Sequence, residues 1–429
     1  MFSLGLGATE THQTRVSLQV NMSKYRTSNS LVLLRISQQC SRPDYSRLPL
    51  TASLLRKRPL SSIRAETSLT TLETHKRASQ VIDVSGLAHE MRREVRAYTL
   101  KCNQEGNPVR LAGIMAVDAM KDTHYAKVYA SNIQKKLDED GILYEHVECH
   151  GKEPEDVEAT IEALNERPDV HGILVYYPIF TAKLADQGSN KKQRQNRKYY
   201  LNAASGVYFK SYDDYLRDVV CPEKDVEGLS NGYNSRWLFR ARSRSHFRRE
   251  SEIYLPCTAL AVEKVIETYH TFSANPNSEG HHQHQPWSGT TATVINRSEI
   301  LGRPLAAMMA LKGANVYSID EHSILKFMGD GKLMRCAEPH MTLEWCLGQS
   351  TLIVTGVPHE DFQLPIDSIQ AENATVVNVS EHENLKEEDV YKRPGITFIP
   401  KIGKVTVAAL EHNLISLHKE CSQKLRKEF

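Results

Sequence analysis

The sequence predicts an α/β protein built on parallel sheets. Three observations carry that prediction. From residue 76 onward, short apolar runs rich in β-branched residues alternate with segments whose apolar residues recur at helical spacing. One such run, Thr293 to Ile295, breaks into the polar loop Asn296-Arg297-Ser298 and then into a helix opened by Gly302 and Pro304. One strand-helix-strand unit later, Ala314 to Asp320 is a second strand-like run, and it ends in a carboxylate. Alternation on this scale covers both faces of a parallel sheet with helices.

In order along the chain, residues 1–75 are rich in Ser, Thr, Arg and Leu and show no sustained periodicity. Their arginine-rich, acid-poor composition is that of an organelle-targeting leader, although Met1 to Gly7 carries no positive charge. A translation start at Met22 or later would give the same appearance. Ala78 to Leu100 places Val81, Leu87, Met91 and Val95 at helical spacing, and Val109 to Val117 is a buried-strand run. Lys127 to Asp140 reads as a helix with Gly141 as its C-cap, Ile142 to Cys149 as a strand, and Glu153 to Glu166 as a helix. Val170 to Tyr177 is a strand stopped by Pro178.

Two basic segments then interrupt the pattern, 184–211 with Lys191 to Lys198 and 234–251 with Arg240 to Arg249. Each carries 6 basic residues and 1 acidic residue, and each is read as a solvated insertion rather than a docking site for an anionic partner. Leu260 to Tyr269 is a helix, Thr271 to Ser288 a Gly/Ser/His-rich linker, and Val405 to His418 an amphipathic helix. Strands are expected at Thr293, Ala314, Thr351 to Val354 and Ala374 to Val377. The expected organisation is an extension over 1–75 and an N-terminal α/β domain over 76–270. A linker over 271–288, a Rossmann-type domain over 289–404 and a terminal helical segment over 405–429 complete it.

A length of 429 residues is enough for two or three domains. No apolar run approaches a membrane span, so no membrane partner is expected. The 8 cysteines form no C-x-x-C pair and have no metal-ligand spacing, which reads as free thiols in a reducing compartment. His281, His282 and His284 have no acid or cysteine beside them in a structured element, so they read as a polar loop and no metal is expected. The formal charge of +2 hides a division: residues 1–64 carry 10 basic against 2 acidic residues, and the body outside the basic segments 32 against 48. An acidic body argues against a nucleic-acid surface.

The loop after Thr293–Ile295, taken with the acid ending the next strand, is the pattern of a dinucleotide-binding fold. Asp320 would accept hydrogen bonds from both hydroxyls of an adenosine ribose and repel a 2′-phosphate, so the expected cofactor is NAD rather than NADP. The spacing departs from G-x-G-x-x-G, with Asn296 standing first and Gly302 last. Asn296, Arg297 and Ser298 are expected around the pyrophosphate.

Five segments in order extend this pattern into a resemblance. They are Tyr129 with its helix, Gly172 to Pro178, Lys224 to Leu229, Leu255 to Thr258, and Val294 to Pro304. Together they resemble the methylenetetrahydrofolate dehydrogenase/cyclohydrolase family, and within it the monofunctional, NAD-dependent fungal branch. The resemblance runs from about Lys76 to the C-terminus. It implies a catalytic α/β domain, a Rossmann-type domain, a last helix returning to the catalytic domain, and a homodimer. It also implies oxidation of 5,10-methylenetetrahydrofolate by NAD, in one-carbon metabolism that supplies purine biosynthesis, and a cytoplasmic location. A mitochondrial one would follow if residues 1–75 act as a transit peptide.

The same resemblance assigns residues. Tyr129, Tyr176 and Glu227 fall at the reacting pocket, with Glu227 gripping the pterin edge, and Pro256, Cys257 and Thr258 line the folate cleft. Asn296, Arg297, Ser298, Gly302, Asp320, Thr355 and Gly356 fall on the cofactor side. Lys224 and Asp225 are expected to be structural, pairing within their loop. In bifunctional relatives a lysine follows the pocket tyrosine by four residues and supports hydrolysis of the product. Here that place holds Ile133, and Tyr176 replaces the relatives' glutamine. The two departures together imply a dehydrogenase without cyclohydrolase activity. The competing readings are a bifunctional enzyme, a shikimate- or glutamate-type dehydrogenase, and an inactive relative serving as an interaction module.

Overall fold

A computed structural model of the protein describes residues 77–120, 123–180, 200–202, 207–209, 211–230, 255–272, 285–328, 333–336 and 340–428. The expectations for residues 1–75, for Lys191 to Lys198, for Arg240 to Arg249 and for His281, His282 and His284 lie outside these residues.

The first parallel sheet has the order β3-β2-β4, with β2 (Arg110–Ala116) between β3 (Leu143–Cys149) and β4 (Gly172–Val175). Side chains of β2 alternate between two apolar layers, as the period of a strand requires. Leu111 and Met115 pack with residues of α1 (Ser85–Gln104), α2 (His124–Glu139) and α5 (Cys257–Tyr269). Ala112, Ile114 and Ala116 pack with α3 (Pro154–Asn165) and α4 (Tyr212–Val219). Local sequence starts the second pair of helices. Glu153 and Asp156 form a reciprocal capping box with Pro154 in the first turn of α3, and Ser211 Oγ accepts the Asp214 N–H at the start of α4.

The second sheet is larger, in the order β1-β13-β12-β11-β7-β8-β9-β10. Its parallel strands are β1 (Gln80–Val81), β7 (Thr291–Ile295), β8 (Asn315–Asp320), β11 (Leu352–Thr355), β12 (Ala374–Asn378) and β13 (Ile396–Ile399). The antiparallel hairpin β9 (Ser323–Phe327) and β10 (Leu333–Cys336) extends it beyond β8. Strand β7 is flanked by β8 on one side and β11 on the other, so the strand order reverses there. Helix α6 (Gly302–Leu311) joins β7 to β8, α7 (Leu343–Gln349) precedes β11, and α8 (Glu387–Lys392) precedes β13. The chain ends in α9 (Gly403–Glu428), which returns to the first sheet: His418 Nδ1 lies 2.7 Å from the Tyr98 hydroxyl of α1.

The strands and helices expected from the sequence are present, with three differences. The helix expected from Ala78 starts at Ser85, because Gln80 and Val81 instead pair with Thr397 and Phe398. The first insertion is not wholly a solvated loop: β5 (Tyr200–Asn202) pairs with β6 (Val207–Phe209), and buried Phe209 sits 6.0 Å from the Tyr215 ring. Both ends of the expected linker are packed, since Phe272 and Trp287 have ring centroids 5.3 Å apart and Trp287 is buried.

Candidate active site

A cleft of about 730 Å³ opens where the carboxyl ends of the two sheets meet. Met120 follows β2, Tyr176 to Pro178 follow β4, Asn296 and Ser298 follow β7, Gly356 follows β11, and Val379 and Glu381 follow β12. The strand ends of an open α/β sheet, at the point where its order reverses, are where such folds bind ligands.

On the first-sheet side Tyr129 of α2 stands 45% exposed, its ring edge-on to Tyr176 with centroids 6.1 Å apart and planes at 89°. Tyr176 is buried, and its hydroxyl lies 2.7 Å from that of Tyr144 on β3. Tyr144 spans the intervening strand because β2 carries Gly113 there: a Cβ at that position would lie 2.2 Å from the Tyr144 hydroxyl. Burial, followed by Tyr144, pushes the Tyr176 phenol well above its ordinary range, so it remains a protonated donor. Ile133, one turn after Tyr129, is 1% exposed and belongs to the same apolar cluster as Tyr176.

Glu227 reaches the cleft from the loop after the short 3-10 turn Pro222–Lys224. It keeps some solvent access through the cleft, yet burial first and the charge of Asp225 second raise its carboxyl to about 7, while Arg217 pulls it down. Three supports hold its loop. Lys224 Nζ donates to Leu164 O, Asn165 O and Arg167 O at 2.8, 2.7 and 2.6 Å, capping α3, and buried Asp225 accepts the Ser230 N–H at 2.8 Å. Both residues are thus structural, but each bonds elsewhere rather than to the other. The third support comes from α9, where Asn413 Nδ2 donates to Val226 O at 2.9 Å and Leu255 O at 3.1 Å.

Of the Pro256-Cys257-Thr258 run, only Thr258 lines the cleft, and Pro256 lines a side recess with Arg217 and Glu299. Cys257 is buried, and its backbone N–H donates to Glu227 O at 3.1 Å. Burial and then Glu227 push its thiol up to about 12, which keeps it protonated and unreactive.

On the second-sheet side the loop after β7 takes the shape that glycines usually permit. Asn296 has φ 79°, a left-handed conformation that asparagine tolerates better than most residues, and its Nδ2 donates to Gly356 O at 2.6 Å. Gly302 must be glycine, because a Cβ there would lie 2.0 Å from Asn296 O. Ser298 Oγ accepts the N–H groups of Leu301 and Gly302, both at 3.2 Å, which leaves its own proton for a ligand. The loop and the exposed Asp320 at the end of β8 fit a dinucleotide, with α6 opening from the loop.

Two expected cofactor residues turn elsewhere. Thr355 is fully buried and donates to Asn384 Oδ1 at 2.9 Å, so Gly356 beside it reaches the cleft and the threonine hydroxyl does not. Arg297 points away from the cleft, into the β8–β9 hairpin. Asp320 also lies outside the cleft lining, at that hairpin. Two charged lining residues escaped sequence reasoning. Arg217 is held by Asp214 at 2.8 Å and stacks 4.2 Å over Tyr177, and Glu381 follows β12. The Ser211 cap with Asp213 and Asp214 behind it marks α4 in the sequence and could have found Arg217. Glu381 has no such signal.

A dinucleotide loop at a switch point, facing an aromatic and acidic wall across a cleft, defines a two-sheet dehydrogenase of the α/β class. Residues 82–191 match the model of the tetrahydrofolate dehydrogenase/cyclohydrolase catalytic domain. The methylenetetrahydrofolate dehydrogenase [NAD(+)] of Dictyostelium discoideum is 32% identical over 78% of this chain and 93% of its own length. That of Schizosaccharomyces pombe is 34% identical over 68% of this chain and 80% of its own. The solved NAD-dependent 5,10-methylenetetrahydrofolate dehydrogenase of Saccharomyces cerevisiae superimposes with a TM-score of 0.61 at 29% identity, covering 81% of this chain and 99% of that one. The chain belongs to the tetrahydrofolate dehydrogenase/cyclohydrolase family.

Proposed function

We propose that this protein oxidises 5,10-methylenetetrahydrofolate to 5,10-methenyltetrahydrofolate with NAD, and that it does not hydrolyse the product. The observation that carries this reading is the cleft itself, where Tyr129, Tyr176, Glu227 and Thr258 face Asn296, Ser298 and Gly356. The names of the relatives in two amoeboid and fungal lineages support both the substrate and the cofactor. NAD, when bound, supplies the hydride acceptor. The chain's own task is to orient the folate and exclude water, since loss of hydride from a carbon between two nitrogens needs positioning more than a proton-transfer group.

In this reading the Tyr129 and Tyr176 rings wall the pterin, and ionised Glu227 accepts from its amino and ring N–H groups in bidentate fashion. Asn296, Ser298, Gly302 and Gly356 hold the cofactor's phosphates and nicotinamide end, and Asp320 its adenosine ribose. Ile133 supports the absence of cyclohydrolase activity, because an apolar side chain in the core orients no water. The resemblance to a dimeric family supports a homodimer. Cys102, Cys149, Cys221, Cys257 and Cys421 are reduced thiols, which supports a reducing, cytoplasmic location. Among the described residues no helix is long and apolar enough to cross a membrane.

The test is direct. Purified protein given methylenetetrahydrofolate should form the absorbing methenyl product with NAD, and equal or better turnover with NADP sinks the cofactor assignment. Added methenyltetrahydrofolate should decay at the same rate with and without enzyme, and enzyme-dependent decay would make the protein bifunctional.

A further inference from the structure

Arg297 follows the left-handed Asn296 in the loop after β7, where an arginine would be expected to meet a cofactor phosphate. Its guanidinium is instead spent on the β8–β9 hairpin. Nε donates to Ser318 Oγ at 3.2 Å, Nη1 to Ser323 Oγ at 3.0 Å, and Nη2 to Ser318 O at 3.0 Å and Ser323 O at 2.6 Å. A guanidinium has five N–H donors, so these four bonds leave one. Ser318 sits in β8, fully buried, and Ser323 opens β9 directly opposite Asp320 in the ladder. The fork therefore closes across the two-residue turn Glu321-His322, and the segment it brackets, Ile319 to His322, contains Asp320.

We propose that Arg297 is a positioning residue for cofactor choice: it clamps the β8–β9 hairpin so that the Asp320 carboxylate is presented to the adenosine ribose, and it does not itself bind phosphate. The proposal rests on the assignment of Asp320 to that ribose. It reverses the usual expectation for an arginine in this loop, since a cation free to turn outward would favour a 2′-phosphate. Here the same cation is held inward by two serine hydroxyls and two carbonyls. A planar fork meets four acceptors at once, whereas a lysine ammonium has three donors around one point and cannot span both serines.

A double-mutant cycle on the full chain, read as NAD dissociation constants by calorimetry, separates the alternatives. Asp320→Ser and Arg297→Met should each weaken NAD by about tenfold, on the scale of hydrogen bonds to a charged group. If Arg297 acts through Asp320, the double variant should be no more than about twofold weaker than Asp320→Ser alone. Losses that multiply to about a hundredfold would mean that Arg297 touches the cofactor directly, and would overturn the clamp. Unchanged NAD affinity in Asp320→Ser would instead remove the ribose assignment, whatever Arg297 does.

Two further variants guard against a misfolded Arg297→Met protein. Arg297→Lys keeps the charge without the fork, so it should bind NAD as weakly as Arg297→Met, and full recovery by lysine would overturn the proposal. The pair Ser318→Ala and Ser323→Ala leaves the arginine in place but loosens its grip. It should weaken NAD when Asp320 is present and make no difference in Asp320→Ser, and unchanged NAD affinity in the Asp320 background would count against the clamp.

Discussion

The hydroxyls of Tyr144 in β3 and Tyr176 just past β4 stand 2.7 Å apart, although β2 separates the two strands. The contact crosses the middle strand at Gly113 and fixes the depth at which the Tyr176 ring enters the cleft. Tyr144 is not part of the cleft lining. Its removal should therefore be felt only through its partner. Tyr144→Phe is expected to lower kcat/KM for the folate by about threefold to tenfold, the worth of one neutral hydrogen bond. Steady-state kinetics of Tyr144→Phe, Tyr176→Phe and the double variant check it, because a pair acting as one unit gives non-additive losses.

The pH dependence should follow Glu227, whose carboxyl is raised to about 7. In the role proposed for Glu227 only the ionised form would accept both pterin N–H groups, so kcat/KM for the folate should rise with pH up to about 7 and then level. Stability runs the other way. A carboxyl whose folded pKa is raised contributes stability below its unfolded value, and that contribution is lost as pH rises through about 7. Glu227→Gln should thus flatten the rate profile at a low level while melting higher than the parent at pH about 8. A rate profile unchanged by the substitution would assign the pterin to another residue.

Asn413 lies far from the cleft in sequence, yet it holds the carbonyls on both sides of the loop bearing Glu227. Asn413→Ala leaves Val226 O and Leu255 O without that donor, at about 1–3 kcal/mol for each buried group left unmet. The expected result is a lower melting temperature together with a raised KM for the folate and a nearly unchanged KM for NAD. Equal changes in both constants would point to general loosening of the fold.

A second carboxylate sets the alkaline limit. Glu411 of α9 is wholly buried 3.4 Å from Arg92 Nε, and Arg92 and Arg96 also serve buried Asp140. Burial, then the negative charge of Asp140, holds the Glu411 carboxyl well above the usual carboxylate range, against the pull of Arg92. The stability this confers is complete at acid pH and is lost as pH climbs through the raised folded value. Thermal melts between pH about 7 and 10 should fall for the parent and stay flatter for Glu411→Gln, whose neutral amide never ionises.

Much of this arrangement is legible in the sequence because it is local. The strand, loop and helix around Asn296 to Gly302 are set by neighbours, as are the acid at the end of β8 and the turn carrying Glu227. What the sequence conceals depends on distant partners. Thr355 looks like a cofactor residue until Asn384, 29 positions away, is seen to take its hydroxyl. Arg297 is turned from the phosphate site by Ser318 and Ser323 across a hairpin that the alternation of strands and helices does not announce. Val81 fits a helical period, and only the open edge of β13 makes it a strand.

That edge pairing bears on any attempt to take the protein apart. The cofactor sheet is finished by two residues from the opposite end of the chain, so a fragment cut as residues 285–402 would fold with β13 uncovered. A bare apolar edge strand is a template for pairing with another copy. Such a fragment should form aggregates that the intact chain does not, and fusing Ser79 to Asp83 back onto it is the modification expected to keep it monodisperse.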